Sequence, residues 1–167
     1  MSTETRIQRT ARLLAGQYRD RARFSLDEES APRTIEEAYA MQEAFQEIMS
    51  RARGPVAGYK IAYTTAAMQQ NAGVSEPGAG VILAKNINHS PATLQSAGYL
   101  HLGIECEVAA RLGQDLPASR SPYNRDQVAE AVDAIMPAFE VIDARGSEIQ
   151  DAPVRVLASI STNISNA

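Results

Sequence analysis

The stretch Gly103-Ile104-Glu105-Cys106-Glu107-Val108-Ala109, GIECEVA, decides how this chain is read. It lies in the longest strand candidate, residues 102–113 (LGIECEVAARLG). Successive strand residues point to opposite faces. Ile104, Cys106 and Val108 therefore share one face, and Glu105 and Glu107 share the other. Two readings follow. In the ordinary one, an apolar inner face backs a solvated outer one. In the other, two carboxylates converge on one point, where they repel each other unless a cation lies between them.

A third carboxylate bears on that choice. In PAFEVIDA, residues 137–144, strand alternation puts Glu140 in line with Ala138 and Ile142, with Phe139, Val141 and Asp143 on the other face. A carboxylate among apolar neighbours needs a partner, a proton or a metal. Glu105, Glu107 and Glu140 on two strands would form a hard, all-oxygen site suited to Mg²⁺ or Mn²⁺. Neither His89 nor His101 has ligand spacing, and both read as structural or surface residues. Lys60, in GYKIAY, shares a strand face with Gly58 and Ala62. Those small residues leave space round its ammonium, which can act as acid, base or charge stabiliser. The competing reading is a lysine that snorkels to solvent.

The surrounding text gives the organisation. Ile7, Ala11, Leu13 and Leu14 form a helical stripe, and residues 19–33 read as a polar link. Thr34 caps a second helix, with Glu37 three residues on as in a capping box. Its wide apolar face includes Ile35, Ala38, Met41 and Phe45, and Gly54-Pro55 ends it. Residues 56–63 and 81–84 read as strands, and 64–73 as a short helix capped by Thr64 or Thr65. Residues 124–136 read as a helix capped by Asn124 with Gln127 at its third position. Residues 154–160 (VRVLASI) read as a last strand, with the chain ending in strand-like text, SISTNISNA. Helices first and mostly strands after make an α+β protein. The expected division is a helical region over 1–54 and a β-rich region over 55–167.

Composition limits the partners. The chain has 167 residues, 44% of them apolar, and a net charge of −4 without a basic block. That argues against nucleic acid or an anionic membrane surface. A single cysteine precludes an internal disulfide and points to a reducing compartment. No stretch approaches the roughly 18 apolar residues of a membrane span, and the N-terminus lacks a signal-peptide core. A cytoplasmic protein is expected.

Four motifs in order carry a resemblance: residues 36–44 (EEAYAMQEA), 54–69 (GPVAGYKIAYTTAAMQ), 103–117 (GIECEVAARLGQDLP) and 137–145 (PAFEVIDAR), with ISTNISNA at the end. The chain resembles the 2-keto-4-pentenoate hydratase and 4-oxalocrotonate decarboxylase group of the fumarylacetoacetate hydrolase superfamily. The resemblance implies N-terminal helices followed by a mixed, mainly β roll, and commonly a homo-oligomer. It implies a divalent cation, Mg²⁺ or Mn²⁺, on Glu105, Glu107 and Glu140, and a catalytic role for Lys60. Thr64, Thr65 and Asn163 would contact substrate. The implied reaction is addition of water to a small 2-hydroxy-2,4-dienoate, as its 2-oxo-enoate tautomer, to give a 4-hydroxy-2-oxo acid in aromatic-compound degradation. The alternatives are decarboxylation of a 2-oxo-3-enedioate such as 4-oxalocrotonate, or a truncated, non-catalytic subunit. Where the group carries an aspartate near Gly78 and another before Asn163, this chain has Gly78 and Thr162. The resemblance runs to the last residues, whereas the group's members continue for about another third of their length, so a truncated roll is expected.

Overall fold

A computed structural model describes residues 5–145 and 152–162. They fall into two compact units, one holding residues 5–102, 142–145 and 152–162, the other residues 103–141.

The first unit is built on three helices, α1 (Arg6–Arg19), α2 (Ile35–Arg53) and α5 (Ala152–Ser161). The α1 helix starts at a reciprocal capping box, Thr5 with Gln8. Its buried face is Thr10, Ala11 and Leu14, whereas Leu13 is exposed. Thr34 caps α2 by accepting from the Glu37 N–H. The Glu37 carboxylate does not close the box. It accepts from the Arg33 N–H at 2.9 Å and pairs with Arg6, joining α2 to α1. Gly54 ends α2 at φ +83°, a backbone conformation that favours glycine.

Phe45 of α2 is fully buried and meets Tyr18 and Phe24 edge to face. The linking segment thus does more than connect: Phe24, Leu26 and Ala31 complete this core. A second cluster joins Ala38 of α2 to Val156 and Ile160 of α5 and to Ala72 of a short helix, α3 (Ala66–Ala72). Here the structure corrects the sequence reading. Residues 154–160 form helix, not strand. Val156 and Ile160 are one helical turn apart, and both are buried in the cluster shared with α2. Packing against α2 overrides the strand preference of β-branched residues.

Strands β1 (Val56–Ala62) and β2 (Gly78–Leu83) pair antiparallel beside these helices, with Lys60 opposite Gly80 and Ala62 opposite Gly78. Gln42 of α2 ties the layers together. Its amide donates to the Ala79 carbonyl at 3.0 Å and to the Ile160 carbonyl at 2.7 Å.

The second unit holds most of strands β3 (Leu102–Leu112) and β4 (Val132–Asp143), which pair as a two-stranded sheet, and helix α4 (Arg125–Ala131) between them. The Gly113 N–H donates to the Ala131 carbonyl at 2.8 Å, and Arg111 pairs with Asp133 at 2.7 Å. Ascending positions on β3 thus meet descending ones on β4, so the strands run antiparallel. The expected helix over 124–136 is shorter than its apolar spacing suggests. Asn124 and Gln127 cap it reciprocally, but it ends at Ala131, and residues 132–136 open β4. Pairing with β3 wins over helical propagation there. The expected inner face of β3 is also not buried: Ile104 is 64% exposed, Val108 74%, and Phe139 of β4 73%.

Candidate metal centre

Strand alternation brings Glu105 and Glu107 to one face of β3, and sheet pairing brings Glu140 of β4 beside them. One carboxylate oxygen from each lies within 4.8 Å of the other two. Glu105 and Glu107 are exposed and Glu140 is half-buried. Among the described residues this is the group of acidic or metal-ligating side chains that converges in this way. Three like charges so close repel one another, and a shared cation offsets that repulsion. The donors are all oxygen and sit on paired backbone, with their exposed side left for water or substrate. The residues present therefore fit a hard divalent ion.

Lys60 is half-buried on β1, in a burial pattern that inverts the usual one. Lys60 lies on the face with Gly58 and Ala62, while Tyr59 and Ile61 on the other are 76% and 66% exposed. The pairing puts Gly80 and Gly78 opposite Lys60 and Ala62, so small residues surround the lysine across the strands as well as along its own.

The chain leaves β1 through Tyr63, whose φ of +58° is rare for a residue with a large side chain. The Gln69 side chain holds this corner by donating to the Tyr63 carbonyl at 2.8 Å. Thr64 and Thr65 follow, both exposed. The Thr65 hydroxyl accepts from the Met68 N–H at 3.2 Å and so caps α3. Lys60, Thr64 and Thr65 belong to the first unit and the three glutamates to the second. Asn163 lies outside the described residues.

Two charged residues of the first unit had no assigned role in the sequence reading. Asp143 and Arg145 are 3% and 4% exposed and pair at 2.7 Å. Their signal in the sequence is an acid and a base two residues apart at a strand's end, IDAR.

No protein-family model matches the chain. Among curated proteins, it is 33% identical over 138 residues to the 2-oxo-hept-4-ene-1,7-dioate hydratase of Escherichia coli, covering 80% of this chain and 51% of that protein. It is 29% identical over 133 residues to a 2-keto-4-pentenoate hydratase of Paraburkholderia xenovorans, covering 79% of this chain and 47% of the relative. The chain thus spans about half the length of these relatives. Among solved structures, 4-oxalocrotonate decarboxylase from Pseudomonas putida G7, complexed with magnesium and adipate, superimposes with a TM-score of 0.82. That match has 22% identity and covers 99% of this chain and 62% of the other. The α+β architecture is therefore that of the decarboxylase's fold.

Proposed function

Since the chain belongs to the 2-keto-4-pentenoate hydratase and 4-oxalocrotonate decarboxylase group, we propose that it serves a metal-dependent lyase. The reaction is addition of water to a 2-hydroxy-2,4-dienoate, through its 2-oxo-enoate tautomer, to give a 4-hydroxy-2-oxo acid in aromatic-compound degradation. The observation that carries this reading is the convergence of Glu105, Glu107 and Glu140.

On this reading the three carboxylates hold Mg²⁺ or Mn²⁺, and the cation, when bound, supplies Lewis acidity toward the substrate's 2-oxo group. Lys60 moves the proton that interconverts the dienol and its 2-oxo tautomer. Its half-buried position among Gly58, Ala62 and Gly80 supports this, because such small neighbours leave space beside the ammonium for a substrate. The hydroxyls of Thr64 and Thr65, with Asn163, bind the polar groups of the substrate. Thr65 can donate its hydroxyl proton while its oxygen caps α3. Residues 1–54 serve as a helical region, and residues 55–167 as part of a β-rich catalytic domain. The active form is a homo-oligomer in the cytoplasm. No helix of the described residues is long and apolar enough to cross a membrane.

The test follows the dienol absorbance of 2-hydroxypenta-2,4-dienoate mixed with the purified chain, with Mg²⁺ and then with excess chelator. Loss of absorbance with Mg²⁺ that stops with chelator, and falls about 100-fold or more in Glu105→Gln, supports the hydratase. A second reading is favoured by the shared fold with 4-oxalocrotonate decarboxylase. Release of CO₂ from 4-oxalocrotonate without turnover of the dienoate would replace hydration with decarboxylation. Metal binding with neither activity would leave this chain a non-catalytic subunit.

A further inference from the structure

Asp143 closes β4 three residues beyond Glu140, and the two residues whose N–H groups it captures immediately precede β3. One carboxylate oxygen accepts from the Leu100 N–H at 2.8 Å and from the His101 N–H at 3.0 Å. The other accepts from the Arg145 side chain at 2.7 Å. The Ala144 N–H adds a main-chain bond to the His101 carbonyl at 3.0 Å. The strands that bear the three glutamates are thus tied at their common end by a side chain as well as by their ladder.

The tie is itself held from behind. Arg145 donates to the Tyr18 carbonyl at 3.0 Å, and its guanidinium lies 4.3 Å from the centre of the Tyr18 ring. The Phe24 N–H donates to the Arg145 carbonyl at 3.0 Å. A buried ion pair by itself adds little to stability, because desolvation offsets the attraction. What such a pair can supply is a fixed geometry, since every alternative arrangement leaves a buried charge unpaired.

We propose that Asp143, backed by Arg145, is a positioning residue for the metal centre: it fixes the end of β3 against the end of β4 and so sets how Glu105 and Glu107 meet Glu140. This inference rests on the three glutamates binding a cation. It adds a residue that touches neither metal nor substrate but governs the affinity of the site. Residues that orient metal ligands without touching the ion typically change affinity by about 10- to 100-fold.

The test has two arms, neither of which needs turnover. In the first, Mn²⁺ binding is titrated calorimetrically on the wild-type chain, on Glu105→Gln and on Asp143→Asn. Asp143→Asn keeps the size of the side chain but weakens its hold on Arg145 and the two N–H groups. The expected result is affinity lost in Glu105→Gln and weakened about tenfold in a folded Asp143→Asn. The second arm uses the wild-type chain alone, so it stands even if Asp143→Asn fails to fold. Coupling is reciprocal, so Mg²⁺ should slow amide exchange at Leu100 and His101 by about fivefold or more relative to amides of α2 such as that of Phe45. A uniform slowing, or none, with metal bound overturns the positioning role, as does an unchanged Mn²⁺ affinity in a folded Asp143→Asn. Absence of binding to the wild-type chain removes the metal centre itself, and this inference with it.

Discussion

Phe45 shows how much of the first unit one side chain can decide. It is fully buried, with Tyr18 and Phe24 against it at ring separations of 6.4 and 6.3 Å. Removing the ring leaves a cavity that aromatic neighbours on a helix and a tethered segment fill poorly. Phe45→Ala should therefore cost about 3–5 kcal/mol in denaturant unfolding. Glu37 offers a test in pH. Its pKa is lowered, first by its hydrogen bond with Arg6 and then by the Arg33 N–H. A carboxyl depressed in the folded state binds fewer protons there than in the unfolded chain. Its contribution is present above the ordinary glutamate pKa, about 4.3, and is lost as pH falls through the lower folded value. The stability gap between wild type and Glu37→Gln should accordingly close as the pH of the unfolding titration drops below about 4. At this scale the sequence was informative where a residue's surroundings lie along its own strand. Glu105 and Glu107 had to share a face, and Lys60 had to sit with Gly58 and Ala62. It was silent on the Asp143–Arg145 pair, whose partners Leu100, His101 and Tyr18 are distant in the chain.

Elements with chemical end signals were legible, and elements decided by distant packing were not. The Thr34 cap and the Gly54 stop delimit α2 as read from the sequence, and Thr65 and Gly73 delimit α3. By contrast, Val128, Ala131, Val132 and Ile135 suit a helix by spacing, yet the chain changes to strand at Val132 because β3 lies alongside to pair with it. The α5 helix was misread for the same reason in reverse. Its β-branched residues alternate like a strand, and it is Ala38 of α2 and Ala72 of α3, distant in the chain, that supply the surface making Val156 and Ile160 a helical pair. A prediction at this scale concerns the stop of α2. A Cβ on Gly54 would lie 3.3 Å from the Ala84 Cβ, at a backbone conformation essentially confined to glycine. Gly54→Ala should cost about 1–3 kcal/mol, read as a lowered unfolding midpoint.

Across the whole molecule, the open feature is apolar surface. Tyr59 and Ile61 on β1, Ile104 and Val108 on β3, and Phe139 on β4 are all more than 60% exposed. Exposed apolar groups on two-stranded sheets favour association. The chain should sediment as larger species at rising concentration, and Ile61→Lys combined with Val108→Lys should shift it toward the monomer. Unchanged sedimentation in the double variant would show that these faces are not what associates. The fold class was legible at this scale because it depends on the order of elements. The exposure was not, because alternation says which residues share a face but not whether anything covers that face. Cys106 lies among these exposed residues, between the two glutamates of β3 and on the opposite face. It is the chain's single thiol. A maleimide dye or nitroxide will therefore attach at one defined place, directly behind the carboxylates without occupying their side. Paramagnetic Mn²⁺ quenches or broadens such a tag only from nearby, so the wild-type sequence already carries the handle needed to watch a cation arrive.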